Sequence, residues 1–110
     1  VLEMAEKAKK IGVENIIVNN NHPTSVGILK KFNINFDEWA RRYNNSLRGI
    51  KQQDNVRFYF NDIELKIENY LKKNNLQKEE ILLEDGLHLN NFGHQIYFDI
   101  QKEALNKFIK

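Results

Sequence analysis

The chain has 110 residues, which suits one small domain, and its 41% hydrophobic and 29% charged content is that of a globular protein, not a disordered one. A net charge of +2, carried by lysines and arginines scattered along the chain, gives no argument for nucleic-acid binding. There is no apolar run near the roughly 18 residues of a membrane span, and the lack of cysteine removes disulfide and thiolate chemistry while leaving the compartment open.

In chain order, residues 2–11 are predicted helical, because Leu2, Ala5, Ala8 and Ile11 recur at three-residue spacing among Glu and Lys. Gly12 is the expected stop. Ile16, Ile17 and Val18 form a short continuous β-branched run, the pattern of a strand buried on both faces. A polar loop, "NNNHPTSVG", follows and carries the only proline, Pro23. Residues 36–50 return to helical spacing. Phe36, Trp39, Ala40, Tyr43, Leu47 and Ile50 make one stripe, expected to lie against a sheet, and Asp37 sits in the first turn. Val56 to Phe60 is a second predicted strand, and Ile63, Ile67, Tyr70 and Leu71 mark a third helix. The stretch "ILLE" is too short to assign. Residues 93–109 close the chain as a helix with Ile96, Ile100, Leu105, Phe108 and Ile109 among its apolar positions. Phe58, Tyr59, Phe60, Phe92, Tyr97 and Phe98 are expected to pack in the core and strands.

Strands alternating with helices imply crossover connections and a parallel sheet. Two strands are few for a complete doubly wound domain. The expectation is therefore one α/β unit over 1–110 that is a piece of a larger domain.

The stretch "DGLHLNNFGH" holds the chemistry. A general-base histidine needs a carboxylate on one ring nitrogen, to fix its tautomer and to stabilise the imidazolium. Asp85 and His88, three residues apart across a glycine-containing turn, have the right types and spacing. The loop precedes a helix, in the region where open α/β sheets place their sites. By itself D-x-x-H is a common pattern, and a capping Asp beside a surface His is its simplest explanation.

The wider block resembles the last block of the SGNH (GDSL-type) hydrolases, in which D-x-x-H is followed by Gly and often His before a terminal helix. Asp85, Gly86, His88, Gly93 and His94 match it, while Leu89 stands where many members have Pro. The resemblance implies a three-layer α/β/α, flavodoxin-like parallel sheet, of which this chain supplies the C-terminal half. It implies ester hydrolysis by a serine mechanism, with His88 as general base and Asp85 orienting it. His94 matches a frequent non-catalytic position and is expected in the first turn of the last helix. The family's G-D-S serine block and its G-x-N-D oxyanion-hole block do not occur here. Ser25 lies in "PTSVG" and Ser46 in a helical stripe, so neither is expected to be a nucleophile. Asn19 to Asn21 are not assigned to an oxyanion hole. The resemblance thus implies a partner, the N-terminal part of the same fold, and a small-molecule or carbohydrate ester as substrate. It implies no cofactor and no metal. The chain alone is expected to lack turnover.

Two other readings compete with this one. Asp85, His88, His94 and His22 are all metal-ligand types, but their spacing matches no metal motif. A non-catalytic interaction or binding module would account for the missing nucleophile and the many aromatics. The polar loop at residues 19–25 is expected to be an ordinary turn; a softer expectation has it line a cleft suited to a hydroxyl-rich ester such as an acetylated sugar.

Overall fold

The computed structural model describes residues 2–49 and 57–109. Helix α1 spans Leu2–Lys10 and strand β1 Asn15–Asn19. Gly12 closes the helix with φ +95°, a conformation that favours glycine. A short hairpin follows, β2 (Ile28–Leu29) against β3 (Ile34–Asn35), which the sequence pattern did not suggest. Helix α2 runs Phe36–Arg48, capped at its start by the Asn35 side chain. Strand β4 is Arg57–Asn61. Helix α3 is Ile63–Lys73, capped by Asp62. The "ILLE" stretch resolves into the end of a 3-10 turn, Lys78–Ile81, after which Leu82 bridges to Leu89. Helix α4 spans Asn91–Ile109. It starts two residues earlier than expected, because the Asn90 side chain accepts from the Gly93 amide at 2.8 Å and caps it. Ile50 and Val56, expected to end a helix and start a strand, lie outside the described residues.

The expected parallel pairing is present: β1 and β4 run side by side in register, from Asn15 opposite Arg57 to Asn19 opposite Asn61. The protein is therefore mixed α/β. A three-layer sandwich is not evident in the described residues. Among the described residues the parallel sheet has two strands, too narrow to carry helix layers on both faces, and the hairpin forms a separate antiparallel pair. No described helix is long and apolar enough to cross a membrane.

The apolar core lies in the C-terminal part. Ile63, Ile67 and Leu71 on α3 meet Ile81, Leu82, Leu89 and Ile96, with Leu76, Tyr97 and Ile100 packed around them. These are the i, i+4, i+8 positions of α3, so one helix face supplies a continuous stripe. Gly93 is needed for this packing. A Cβ there would sit 2.3 Å from the Ile81 carbonyl oxygen, so the start of α4 can approach the 3-10 turn only without a side chain.

Several apolar residues expected inside are not. Ile16, Ile17 and Val18 are half-buried, and Ile11 at the end of α1 is exposed. Trp39 is 61% exposed and Tyr43 52%, which overturns their assignment to a buried face. Helix α2 instead turns Ala40, Asn44 and Leu47 inward. The reason is polar docking. Asp37, Asn44 and Arg48 each bond to other segments, and that fixes the rotation of the helix against its own aromatic stripe. Phe92 and Phe98 on α4 are also exposed, while Tyr59, Phe60 and Tyr97 are half-buried, Tyr97 against the apolar core.

Candidate functional site

The loop between Leu82 and Leu89 is closed at its base by the bridge between those two residues and by the Leu83 amide donating to the His88 carbonyl at 2.8 Å. Within it, the Gly86 amide donates to the Leu83 carbonyl at 3.0 Å, and Gly86 takes φ +70°. Both flanks, Leu82 and Leu89, are buried in the apolar core, so a rigid base carries a short polar tip.

Asp85 and His88 are together in that tip. His88 Nδ1 lies 2.6 Å from Asp85 Oδ2. The other carboxylate oxygen, Oδ1, accepts from the backbone amides of Leu87 at 2.9 Å and His88 at 3.0 Å. This is an Asx turn that also aims the second oxygen at the imidazole. The hydrogen bond with His88, reinforced by the two amides, holds the Asp85 carboxyl at about 2, below the ordinary carboxylate value. Asp85 is therefore an anion at neutral pH, and its acceptor role puts the proton of a neutral His88 on Nδ1. Nε2 makes no hydrogen bond to any described residue and is left with its lone pair outward. The His88 side chain is 68% exposed and that of Asp85 46%, so the pair opens to solvent.

Both serines are engaged elsewhere. Ser25 Oγ donates to Glu79 Oε1 at 3.1 Å, and Ser46 Oγ donates to the Arg42 carbonyl at 3.1 Å within its own helix. His94 is exposed in the first turn of α4, as expected from its place in the block. Among the described residues no three His, Asp or Glu side chains gather as metal ligands. His22, a metal-ligand type, has its Nε2 at 2.7 Å from the Leu87 carbonyl oxygen. A carbonyl only accepts, so that nitrogen carries a proton and has no lone pair for a metal.

The loop after β1 has more structural work than the sequence suggested. Asn20 bonds Asp62 through Nδ2 and the Glu64 amide through Oδ1. Asn21 exchanges two hydrogen bonds with the fully buried Asn44. Thr24 and the amides of Val26 and Gly27 all donate to the Asp37 carboxylate. Burial pushes the Asp37 carboxyl up, but these three donors and the Lys78 charge together carry it below its ordinary value. Behind the loop, Arg48 makes a forked pair with Asp62 at 2.7 and 2.8 Å and reaches the buried Glu64 at 2.9 Å. That Arg48 bond, against the opposing effect of burial and with help from Asn20, brings Asp62 to about 2. His22, Pro23 and Thr24 do line a cleft of about 530 Å³, together with Arg41, Lys72 and Lys78, but Asp85 and His88 are not on its wall.

Comparison with protein-family models, with curated proteins and with solved structures finds no match to this chain.

Proposed function

We propose that Asp85 and His88 are the acid–base half of a serine-type ester hydrolase site. The observation that carries this reading is the pair itself: an anionic carboxylate locked on Nδ1 at 2.6 Å, with Nε2 presented outward and unpartnered among the described residues. That is the arrangement a general base needs. In the reaction, His88 Nε2 takes the proton of a serine hydroxyl as its oxygen bonds to the ester carbonyl carbon. The protonated imidazole, stabilised by Asp85, returns that proton to the leaving alcohol. Water then cleaves the acyl-enzyme by the same route and releases the acid. The serine and the oxyanion donors come from polypeptide outside Val1–Lys110, since Ser25 and Ser46 are bonded elsewhere. In this reading β1 and β4 are two strands of a larger three-layer parallel sheet, and the exposure of the pair is relieved when the rest of the site covers it. The substrate is a small or carbohydrate ester.

The test is hydrolysis of a chromogenic acetate and of an acetylated sugar, by this chain and by a polypeptide that carries it together with the serine-bearing segment. The chain alone should give background rates. In the longer polypeptide His88→Ala should lower kcat by about three to four orders of magnitude, and Asp85→Asn by a comparable factor through the wrong tautomer. Turnover that survives His88→Ala ends the proposal.

A second reading draws on a different surface. Ile28, Phe32, Ile34, Trp39 and Tyr43 are all exposed on the hairpin and α2, with Phe36 and Trp39 ring centroids 6.3 Å apart. Such a set suits a non-catalytic interaction module. Binding of a partner that is lost in Trp39→Ala, without any His88-dependent turnover, would favour it over hydrolysis.

A further inference from the structure

His22 and Ser25 both grip the Asp85–His88 loop from a distant part of the chain. The Ser25 amide donates to the Gly86 carbonyl at 2.7 Å, and His22 Nε2 donates to the Leu87 carbonyl at 2.7 Å. The contact is close enough that a Cβ on Gly86 would lie 2.2 Å from the Ser25 carbonyl oxygen. We propose that His22 is a positioning residue for the Asp85–His88 pair, acting through the peptide bond between Leu87 and His88.

A trans peptide is planar, with its C=O and N–H pointing in opposite directions. In this peptide the C=O is held by His22 and the N–H by Asp85 Oδ1 at 3.0 Å. Gripped at both ends, the plane cannot rotate, and that plane sets where the His88 Cα points its ring. The bond from His22 also polarises the peptide and strengthens the N–H as a donor to Asp85. His22 is a firm arm because its own backbone is fixed on both sides. Asn21 before it is locked to buried Asn44, and Thr24 after it is locked to Asp37. The donor is independent of pH, since Nε2–H is present in both the neutral ring that makes this bond and the protonated one.

This proposal rests on the acid–base reading only for its consequence in catalysis; the positioning itself is measured without turnover. The experiment compares His22→Ala and His22→Gln with the parent chain, using ¹⁵N spectra of the His88 ring and hydrogen exchange of the His88 amide. In His22→Ala the amide should exchange about fivefold to tenfold faster, the loss expected of one hydrogen bond, and the ring should lose its preference for the Nδ1–H tautomer. His22→Gln, whose side-chain amide can donate to the same carbonyl, should restore most of both. An unchanged ring and amide in His22→Ala overturn the proposal. So does an equal acceleration across the α3 and α4 amides in both variants, which would make His22 a general structural residue. If ester hydrolysis fails while the ring and amide respond as expected, the functional reading falls and the positioning stands. In a turning-over polypeptide, His22→Ala should lower kcat and leave KM unchanged.

Discussion

The two halves of the molecule are held by different forces. From α3 onward, Ile63, Ile67, Leu71, Ile81, Leu82, Leu89 and Ile96 form one apolar cluster. From α1 to α2, the buried apolar side chains among the described residues are Ala5, Pro23, Ala40 and Leu47, and buried Asn20, Thr24 and Asn44 take the place of a core. The N-terminal half is attached through directional bonds: Asn20 and Arg48 to Asp62, Arg48 to Glu64, and His22 and Ser25 to the loop. Apolar burial is non-directional and tolerates small shifts, whereas hydrogen bonds and ion pairs fix orientation. The candidate site lies where the two meet. Its loop is rooted in the apolar cluster and oriented by the polar arm.

That contrast can be broken at either end. The largest effect is expected at Ile67, which is fully buried at the centre of the cluster. Ile67→Ala should cost about 2–5 kcal/mol, read from urea unfolding followed by circular dichroism. A loss below 1 kcal/mol would mean the cluster is not the main source of stability. Next, Arg48→Ala takes the cation from Asp62 and leaves Glu64 with only the longer contact to Arg41, at 3.9 Å. It should cost about 2–4 kcal/mol in the same assay. It should also loosen α2 from β4 and α3 while the α4 amides keep their slow exchange, the signature of two differently bonded halves. Gly86→Ala should cost at least about 1–2 kcal/mol, from the left-handed backbone and the clash with Ser25. It should also separate the 22–25 segment from the loop, seen as loss of the Asp85–His88 ring signature.

The smallest effect is the pH dependence. Asp62 and Asp85, both near 2 when folded, sit below the ordinary carboxylate value of about 3.9. A group whose folded value is depressed stabilises the fold fully above its unfolded value, and that contribution is lost as pH falls toward the folded one. Stability should therefore hold above about pH 5 and decline between about pH 4 and 2. Arg48→Ala should flatten that decline, because it removes the main cause of the Asp62 shift. Asp85→Asn should change it much less, since that pair is open to solvent. An equal flattening in both variants would mean that the exposed pair and the seam between the halves contribute alike.

The sequence by itself determined the elements whose cause is local. The three-residue recurrence along α1, the β-branched run in β1, the face of α3 and the parallel alternation of β1 and β4 follow from periodicity and propensity, which act over a few residues. Asp85 and His88 were legible for the same reason, since three residues and a glycine suffice to close the turn that joins them. Tertiary structure alone decided the rest. The hairpin at Ile28–Asn35 has strands of two residues, too short for any alternation to register. The aromatic stripe of α2 is a sound helical pattern, yet Trp39 and Tyr43 face outward because Asp37, Asn44 and Arg48 find partners that the pattern does not encode. His22 was visible only as a possible metal ligand or as part of a cleft-lining loop. Its hydrogen bond spans 65 residues, and a bond of that separation depends on where the folded chain brings a loop, not on any spacing within it.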